Sequence, residues 1–183
     1  MANALQYLVN VAVSLATFLF LARFLLQACR ADFYNPISQG IVRFTDPVLK
    51  PARMLIPGYR NLDFAAFLAA VLVQFAEPLL LGYGFANAGL LFARALVSTF
   101  LLMLMFLRWS IIIAAIFSFL APGSYHPALR LLDQITEPVL APARRILPPM
   151  GGLDLSPLIA IVVLVMLEMI IPDLFTRFLG LFM

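Results

Sequence analysis

Charged residues are scarce in this chain of 183 residues: 11% are charged and 64% are hydrophobic. A soluble domain is typically about 25% charged and at most about half apolar. The chain therefore lacks the polar residues needed to cover a water-facing surface, which excludes an ordinary soluble domain. Because the mean hydropathy is +1.04, we predict that the lipid bilayer is the solvent for most of the surface.

Cysteine and histidine each occur once, as Cys29 and His126. A single cysteine excludes an internal disulfide. The chain also lacks a glycine-rich phosphate loop and the H-E-x-x-H, G-x-S-x-G and C-x-x-C motifs. His126 is replaced by Asn35 at the equivalent position of an internal repeat, which is not expected of a metal or haem ligand. We therefore expect a protein that is not an enzyme and that uses no metal or cofactor.

An internal repeat organises the chain. Residues 34–77 align without a gap with residues 125–168, at a constant offset of 91. The core of the first copy, residues 45–57, reads T-D-P-V-L-K-P-A-R-M-L-I-P, and that of the second, residues 136–148, reads T-E-P-V-L-A-P-A-R-R-I-L-P. Because a sequence repeat is one structural unit used again, we predict that the two halves share one architecture.

Four apolar stretches cover residues 5–29, 62–81, 89–120 and 155–183. Each reaches the ~20 residues that a membrane-spanning helix requires. We predict an all-α membrane protein with four transmembrane helices, built from two parallel repeats of a helical hairpin. Repeat 1 would comprise residues 1–86 with a loop at 30–61, and repeat 2 residues 87–183 with a loop at 121–152. Together they would form one membrane domain.

Lysine and arginine are distributed unevenly between the two sides of this arrangement. Only Arg94 and Arg177 lie near the face opposite the loops. Since cytoplasmic loops carry an excess of lysine and arginine, we predict that the repeat loops face the cytoplasm of a bacterial inner membrane and that both termini are periplasmic. The eight residues in the loops are Arg30, Arg43, Lys50, Arg53, Arg60, Arg130, Arg144 and Arg145.

Each loop is predicted to begin with a short amphipathic helix. Asn35-Pro36 and His126-Pro127 have the pattern of a capping residue followed by proline at the first helical position. Apolar residues then recur at helical spacing. Such a helix is expected to lie in the headgroup plane, either as a simple connector or as a docking surface for a partner.

The amphipathic helix is followed in each copy by a proline-rich segment. Proline removes a hydrogen-bond donor and restricts φ, and the residue before it, here Asp46 or Glu137, is biased towards extended geometry. We therefore predict a stiff, non-helical turn suited to recognition, because little entropy is lost when a rigid surface binds. The prolines are Pro47, Pro51 and Pro57 in the first copy and Pro138, Pro142 and Pro148 in the second.

Arg53 and Arg144 are identical in the two copies, and Arg145 adds a charge in the second. Three interpretations of these arginines are open. They satisfy the positive-inside rule alone, they bind anionic lipid headgroups, or they form ion pairs with Asp46 and Glu137 that hold the loop closed.

Carboxylates recur at two further positions of the repeat. Asp63 and Asp154 precede the second and fourth apolar stretches, where an aspartate is expected to cap the free N–H groups of the next helix. Glu77 and Glu168 follow 14 residues later, which is roughly 21 Å along a helix. Charges at this depth cost about 2.5–3.5 kcal/mol on insertion scales, so we expect each glutamate to have a partner.

Arginines in the first and third apolar stretches are the predicted partners of these glutamates. We expect Arg23 to pair with Glu77 and Arg108 with Glu168, with Arg94 competing for Glu77. Such pairs either set the register of the helices or form part of a path for protons or cations.

The doubled motif, followed in both copies by Leu-Asp and an apolar stretch, resembles the YggT family of bacterial integral membrane proteins. The second copy, residues 144–157, is the closer match, whereas the first departs at residues 58–61. The resemblance implies a multi-pass inner-membrane protein. Members of the family are associated with osmotic tolerance, cation homeostasis and cell division, and chloroplast relatives with haem attachment during cytochrome assembly.

Two functions from different classes follow. The first is a membrane scaffold, assembly or stress-homeostasis factor that docks partners through its proline-arginine loops. The alternative is a small ion or proton transporter, or a channel component, with Glu77 and Glu168 in the path. The expected partners are the bilayer, anionic headgroups and another membrane protein or a second copy of the chain, with no nucleic acid.

Overall fold

The structure, a computed structural model, describes residues 2–82, 84, 87–120, 123, 125–147 and 154–180, and it contains six α-helices there. Within these ranges, extended pairing is limited to one bridge, between Tyr59 and Leu62, which confirms the all-α class. The helices are α1 (Ala2–Ala28), α2 (Pro36–Leu55), α3 (Phe64–Leu80), α4 (Ala88–Leu120), α5 (Pro127–Ile146) and α6 (Ser156–Gly180).

Among the described residues, three helices are by length and composition long and apolar enough to cross a bilayer. They are the segments Ala4–Ala28 of α1, Ala88–Ser118 of α4 and Ser156–Gly180 of α6, with mean hydropathies of 2.0, 2.4 and 2.5. The second apolar stretch of the sequence forms a shorter helix, α3, with 17 residues. It is shorter than the sequence predicts because it starts after the cap at Asp63 and ends at Leu80.

The amphipathic helices begin where the sequence predicts them. The side chain of Asn35 accepts a hydrogen bond from the backbone N–H of Ile37 at 2.9 Å, and Nδ1 of His126 accepts one from Ala128 at 3.2 Å. Each cap satisfies a donor that the first turn of a helix leaves free. α2 and α5 therefore start at equivalent positions of the repeat.

The prediction of a non-helical turn over the proline-rich segment is wrong. Pro47 and Pro51 lie inside α2, and Pro138 and Pro142 inside α5, so Asp46 and Glu137 are helical as well. The two prolines of each helix are four residues apart and all four are exposed. The two missing N–H groups of each helix thus fall on one outward face.

α2 and α5 each end next to a proline, and the structure describes only the first of these two prolines. Ile56, the last-turn cap of α2, has φ −123° and ψ 91°, the extended geometry expected of a residue before proline, here Pro57. Leu147, at the end of α5, has φ −129° and ψ 94°. Its neighbour Pro148, part of the predicted rigid turn, lies outside the described residues.

Packing arranges the six helices around two apolar clusters. In the first cluster, Leu21 of α1 and Leu49 of α2 meet small residues of α3, including Ala66 and Ala70. In the second, Ile111 of α4 packs with residues of α1, α5 and α6. α3 also packs against α4, whereas α6 contacts mainly α4 and α5. α2 and α5 lie at the same end of the bundle, which we call the loop side.

Candidate functional site

An arginine–aspartate ion pair occurs at the loop side in both repeats. Arg53, in the last turn of α2, is bonded through Nη2 to Oδ2 of Asp63. Arg144, in the last turn of α5, donates from Nε to Oδ2 of Asp154 at 2.9 Å. The partners are ten residues apart in each case. Both pairs connect the end of an amphipathic helix to the residue that opens the next apolar helix.

The same aspartates also cap the helices that they precede. Oδ1 of Asp63 accepts a hydrogen bond from the N–H of Ala66 at 3.2 Å, and Oδ1 of Asp154 accepts one from Ser156 at 2.9 Å. Each carboxylate therefore gives one oxygen to the helix start and the other to arginine. Because hydrogen bonds to charged groups are stronger than neutral ones, this arrangement ties the two helices together firmly.

The two copies differ in the charges around this ion pair. In repeat 2, Nη1 of Arg144 also contacts both oxygens of Glu137, at 2.6 and 2.9 Å. In repeat 1, the equivalent residue Asp46 pairs with Lys50 at 3.2 Å. Of the two ion pairs in the third interpretation above, that of Arg144 with Glu137 is therefore confirmed, and that of Arg53 with Asp46 is wrong. The lysine is replaced by alanine in repeat 2, which leaves Glu137 available for arginine. Sequence reasoning missed the ten-residue pair, although both copies contain it.

Electrostatics at the repeat 2 cluster follow from these contacts. The hydrogen bonds with Glu137 and Asp154 raise the pKa of Arg144. Burial opposes ionisation of Asp154, but its hydrogen bonds with Ser156 and Arg144 outweigh burial and lower its pKa. Burial, with the nearby charge of Glu137, raises the pKa of Asp133, which Arg144 partly offsets. The cluster thus contains carboxylates with opposite shifts of their pKa values.

Arg23 and Glu77 are not brought together, so this predicted pair is wrong. Gln74 donates to Thr17 at 3.3 Å, which sets the register of the antiparallel helices α1 and α3. In this register Arg23 lies beside Leu68, nine residues or roughly 13 Å along α3 from Glu77. The depth of a residue counted along its own helix does not reveal this, because the register between two helices depends on how they pack.

Arg23 occupies an apolar position near the loop side instead. Its side chain is 7% exposed, and its guanidinium lies 4.9 Å from the centre of the Phe33 ring, an arrangement that favours a cation over an aromatic face. Its Nε and Nη1 atoms have no hydrogen-bond partner among the described residues. The nearest charged groups include Arg53 and Asp63.

Glu77 lies in a small pocket of mixed polar and apolar lining at the opposite end of the bundle. The pocket has a volume of about 240 Å³ and is lined by Gln74, Arg94 and Ser98 as well as Glu77. When the amide of Asn10 is oriented to match its neighbours, its nitrogen also donates to Glu77 at 3.2 Å. The arginine predicted as a competing partner, Arg94, therefore shares this pocket with the carboxylate.

Arg108 and Glu168 do form an ion pair. Nε of Arg108 donates to Oε1 of Glu168 at 2.9 Å, and their side chains are 21% and 20% exposed. The guanidinium also lies 5.7 Å from the ring centre of Trp109. This pair connects α4 to α6 within the apolar part of the bundle, where each charge is less costly because it is paired.

Polar contacts also join the two repeats at the loop side. The N–H of Asp32 donates to Oε1 of Gln134 at 2.8 Å, and Nδ2 of Asn35 donates to the carbonyl of Pro127 at 2.7 Å. Burial raises the pKa of the Cys29 thiol, whose sulfur lies 3.6 Å from a carbonyl oxygen of α5. The segment between α1 and α2 therefore covers part of α5.

Metal binding finds no support in the described part of the chain, since no group of three or more histidine, cysteine, aspartate or glutamate side chains is placed to hold an ion there. Arg53 and Arg144, which form ion pairs, are repeated in the two copies, whereas the exposed Arg145 occurs only in the second. Their roles in membrane orientation and in binding anionic headgroups stay predictions.

Comparison with known proteins gives a family. The family model described as CCB3/YggT matches residues 2–84 and again residues 92–175. The chain belongs to the CCB3/YggT family. The two matched segments each contain one amphipathic helix and its arginine–aspartate pair, and no solved structure matches the chain.

Relatives in several bacteria match most of the chain. A protein of Pseudomonas aeruginosa is 41% identical over 92% of this chain and 88% of its own length. A protein of Vibrio alginolyticus is 38% identical over 86% and 87%, and YggT of Escherichia coli K12 is 32% identical over 91% and 88%. All three are described as uncharacterised, so the similarity shows the family of this chain but assigns it no activity.

The ion pair between α4 and α6 can be tested by a double-mutant cycle. Substituting leucine for Arg108 and Glu168, singly and together, should show a coupling of about 0.5–3 kcal/mol in the free energy of unfolding in detergent. The same cycle on Arg23 and Glu77 is the matched control and should be additive within about 0.5 kcal/mol. Additive effects for Arg108 and Glu168 would contradict the pair.

Acid stability should depend on Asp154. Because the folded state lowers its pKa below the usual 3.8, the ionised carboxylate stabilises the fold above that pH, and this contribution is lost as the pH falls below it. Asp154→Asn should therefore be less stable than the wild type near neutral pH, and the difference should shrink on acidification. Thermal unfolding measured between about pH 2 and 7 checks this, because the change lies mostly below the usual pKa of 3.8.

Arg144→Gln provides a companion variant for the pH experiment. It removes the guanidinium that helps to lower the pKa of Asp154, so its loss of stability should also shrink at low pH. Asp133 has the opposite shift of its pKa, and Arg144 partly offsets that shift. The contribution of Asp133 therefore changes in Arg144→Gln, and the comparison of the wild type with Asp154→Asn is the one that decides. A difference between wild type and Asp154→Asn that is the same at all pH values would refute the linkage.

Proposed function

We propose that the chain is a multi-pass protein of the bacterial inner membrane that acts as a non-enzymatic scaffold or assembly factor, including in responses to osmotic stress. α1, α4 and α6 cross the bilayer, and α3, with 17 residues, is a fourth, shorter span of roughly 26 Å. The loop side, which carries the excess of arginine, faces the cytoplasm and both termini face the periplasm.

The single observation that carries this proposal is a difference between equivalent faces of α2 and α5. Phe44 of α2 is 75% exposed, whereas Ile135, at the same repeat position of α5, is 4% exposed. The face of α5 is covered by apolar residues of α1 and its following segment. The equivalent face of α2, with Phe44 and Val48, has no such cover among the described residues, which leaves an apolar surface for a partner.

α2 is held at both ends, which also suits it to bind a partner. Its C-terminal end is held by Arg53 and Asp63, and its N-terminal end by the contact of Asn35 with Pro127. A helix fixed at both ends loses little conformational entropy when a partner binds. The exposed prolines Pro47 and Pro51 stiffen the outward surface further.

Anionic headgroups are the proposed lipid partners of this side. Arg43, Arg60, Arg130 and Arg145 are exposed around the two amphipathic helices. Basic residues near the cytoplasmic leaflet are each attracted by about 1 kcal/mol to its anionic lipids. This attraction would hold α2 and α5 against the membrane surface. It would also keep the apolar face of α2 at a fixed distance from that surface, where a partner protein can reach it.

A photoreactive residue placed at position 44 should cross-link to a protein in living cells. The physical reason is that Phe44 is an exposed apolar side chain in the centre of the proposed surface. Position 135 is the matched control, because it occupies the same repeat position but is buried, and it should give only cross-links within the chain. Gel shifts and mass spectrometry of the adducts provide the measurement.

Val48→Glu supplies the second half of this test. A charge at the edge of the surface should weaken the captured complex about 30-fold or more, as expected for loss of a contact worth about 2 kcal/mol. Adducts at position 44 that contain lipid alone, or protein adducts equally strong in Val48→Glu, would contradict docking through α2.

The pocket around Glu77 is the observation that favours the alternative function, a small ion or proton transporter. A carboxylate that shares a pocket with an arginine inside a membrane span is typical of ion-handling sites in membranes. For a scaffold, we expect proteoliposomes to show no proton or potassium flux above that of empty liposomes. Flux that is lost in Glu77→Gln or Glu168→Gln would support the transporter and overturn the scaffold.

A further inference from the structure

A cleft lies between α4, α5 and α6 at the loop side of repeat 2. Its volume is about 790 Å³, and its lining changes character along its length. Asp133, Glu137, Arg144 and Asp154 surround one end. The rest of the lining is mostly apolar, with Ser118 and Thr136 as exceptions. It includes Ile161, which lies seven residues or roughly 10 Å further along α6 than Asp154. The lining of the cleft is charged at the interface and apolar towards the membrane interior.

The equivalent region of repeat 1 is filled by the chain's own side chains. The offset of 91 extends into α1 and α4, since α1 ends at Ala28 and α4 at Leu120, within one residue of the equivalent position. By this offset, the residue of repeat 1 that is equivalent to Ala114 in the cleft is Arg23. The guanidinium of Arg23 therefore fills a space in repeat 1 that stays open in repeat 2, where the equivalent side chain is only the methyl group of Ala114.

Two further substitutions enlarge the cleft in repeat 2. Phe24 and Phe67 pack ring against ring in repeat 1, with centroids 5.4 Å apart. Their counterparts in repeat 2, Ala115 and Leu158, line the cleft. Because protein interiors are normally packed without voids of this size, an opening made by three large-to-small differences is suited to an occupant supplied from outside the chain.

The charges at the mouth indicate the chemistry of that occupant. Three carboxylates, Asp133, Glu137 and Asp154, face one guanidinium, Arg144. Repeat 1 has Val42 in place of Asp133 and contributes Arg23 to the corresponding space. Both differences make the repeat 2 site more negative, so the cleft is complementary to a positive group and unfavourable for an anionic headgroup.

We propose that this cleft binds a phospholipid with an amine headgroup, of the phosphatidylethanolamine class. The ammonium group lies among Asp133 and Glu137, in the space that corresponds to that of the Arg23 guanidinium in repeat 1. One acyl chain follows the apolar wall towards Ile161. A small soluble cation would use only the mouth, whereas an amphiphile matches both the charged end and the apolar length of the cleft.

Lipid retention by the full-length protein tests the proposal. The purified chain is exchanged into detergent containing equal amounts of phosphatidylethanolamine and phosphatidylglycerol with identical acyl chains, and bound lipid is counted by native mass spectrometry. We expect the wild type to retain phosphatidylethanolamine about tenfold better, as one charge-assisted hydrogen bond predicts. Asp133→Asn should lose most of this preference, whereas Asp173→Asn, at the other end of α6, should keep it.

Ala114→Arg tests the internal comparison directly. Placing the residue of repeat 1 in the cleft should expel the lipid while the protein keeps a cooperative thermal transition. Equal retention of the two lipids by the wild type would overturn the proposal, as would an unchanged preference in Asp133→Asn. A protein chain found cross-linked in the cleft in place of lipid would also refute it, because the occupant would then be a partner helix.

Discussion

The carboxylates of Asp63 and Asp154 meet two electrostatic demands at once, and the positions of both amphipathic helices depend on this. The start of a helix carries unsatisfied N–H groups and a partial positive charge, and a nearby arginine carries a full one. Each aspartate satisfies both, because one of its carboxylate oxygens accepts a hydrogen bond from a backbone N–H of the helix start and the other accepts one from the arginine. The end of α2 and the start of α3 are therefore held together, and the same is true of α5 and α6.

Repeated use of this linkage leaves room for the two halves to differ elsewhere. In repeat 1 the space beneath the linkage is filled by Arg23, Phe24 and Phe67, and the amphipathic helix α2 presents an apolar face outwards. In repeat 2 the space is an open cleft, and the face of α5 is covered by α1. The structure thus contains one packed half with an exposed helix and one open half with a covered helix, which is why we propose protein docking for the first and lipid binding for the second.

Local features of the structure were predictable because they depend on residues close together in the chain. The starts of α2 and α5 at Asn35-Pro36 and His126-Pro127 rest on hydrogen bonds between residues two apart. The prolines inside α2 and α5 were not predictable by the same reasoning. Their cost depends on whether the carbonyls left without donors meet solvent or protein, and this is decided by which face of the helix the rest of the bundle covers.

The amino-acid sequence by itself determined the all-α class, the repeat and the helix starts, because hydrophobic periodicity and capping are properties of short segments. Packing decided that the predicted pair of Arg108 with Glu168 forms while Arg23 and Glu77 lie apart. It also decided that α5 is covered while α2 is exposed. Two copies of one motif have the same local preferences. Which face each buries, and which charge each pairs, depends on the register and neighbours that packing supplies.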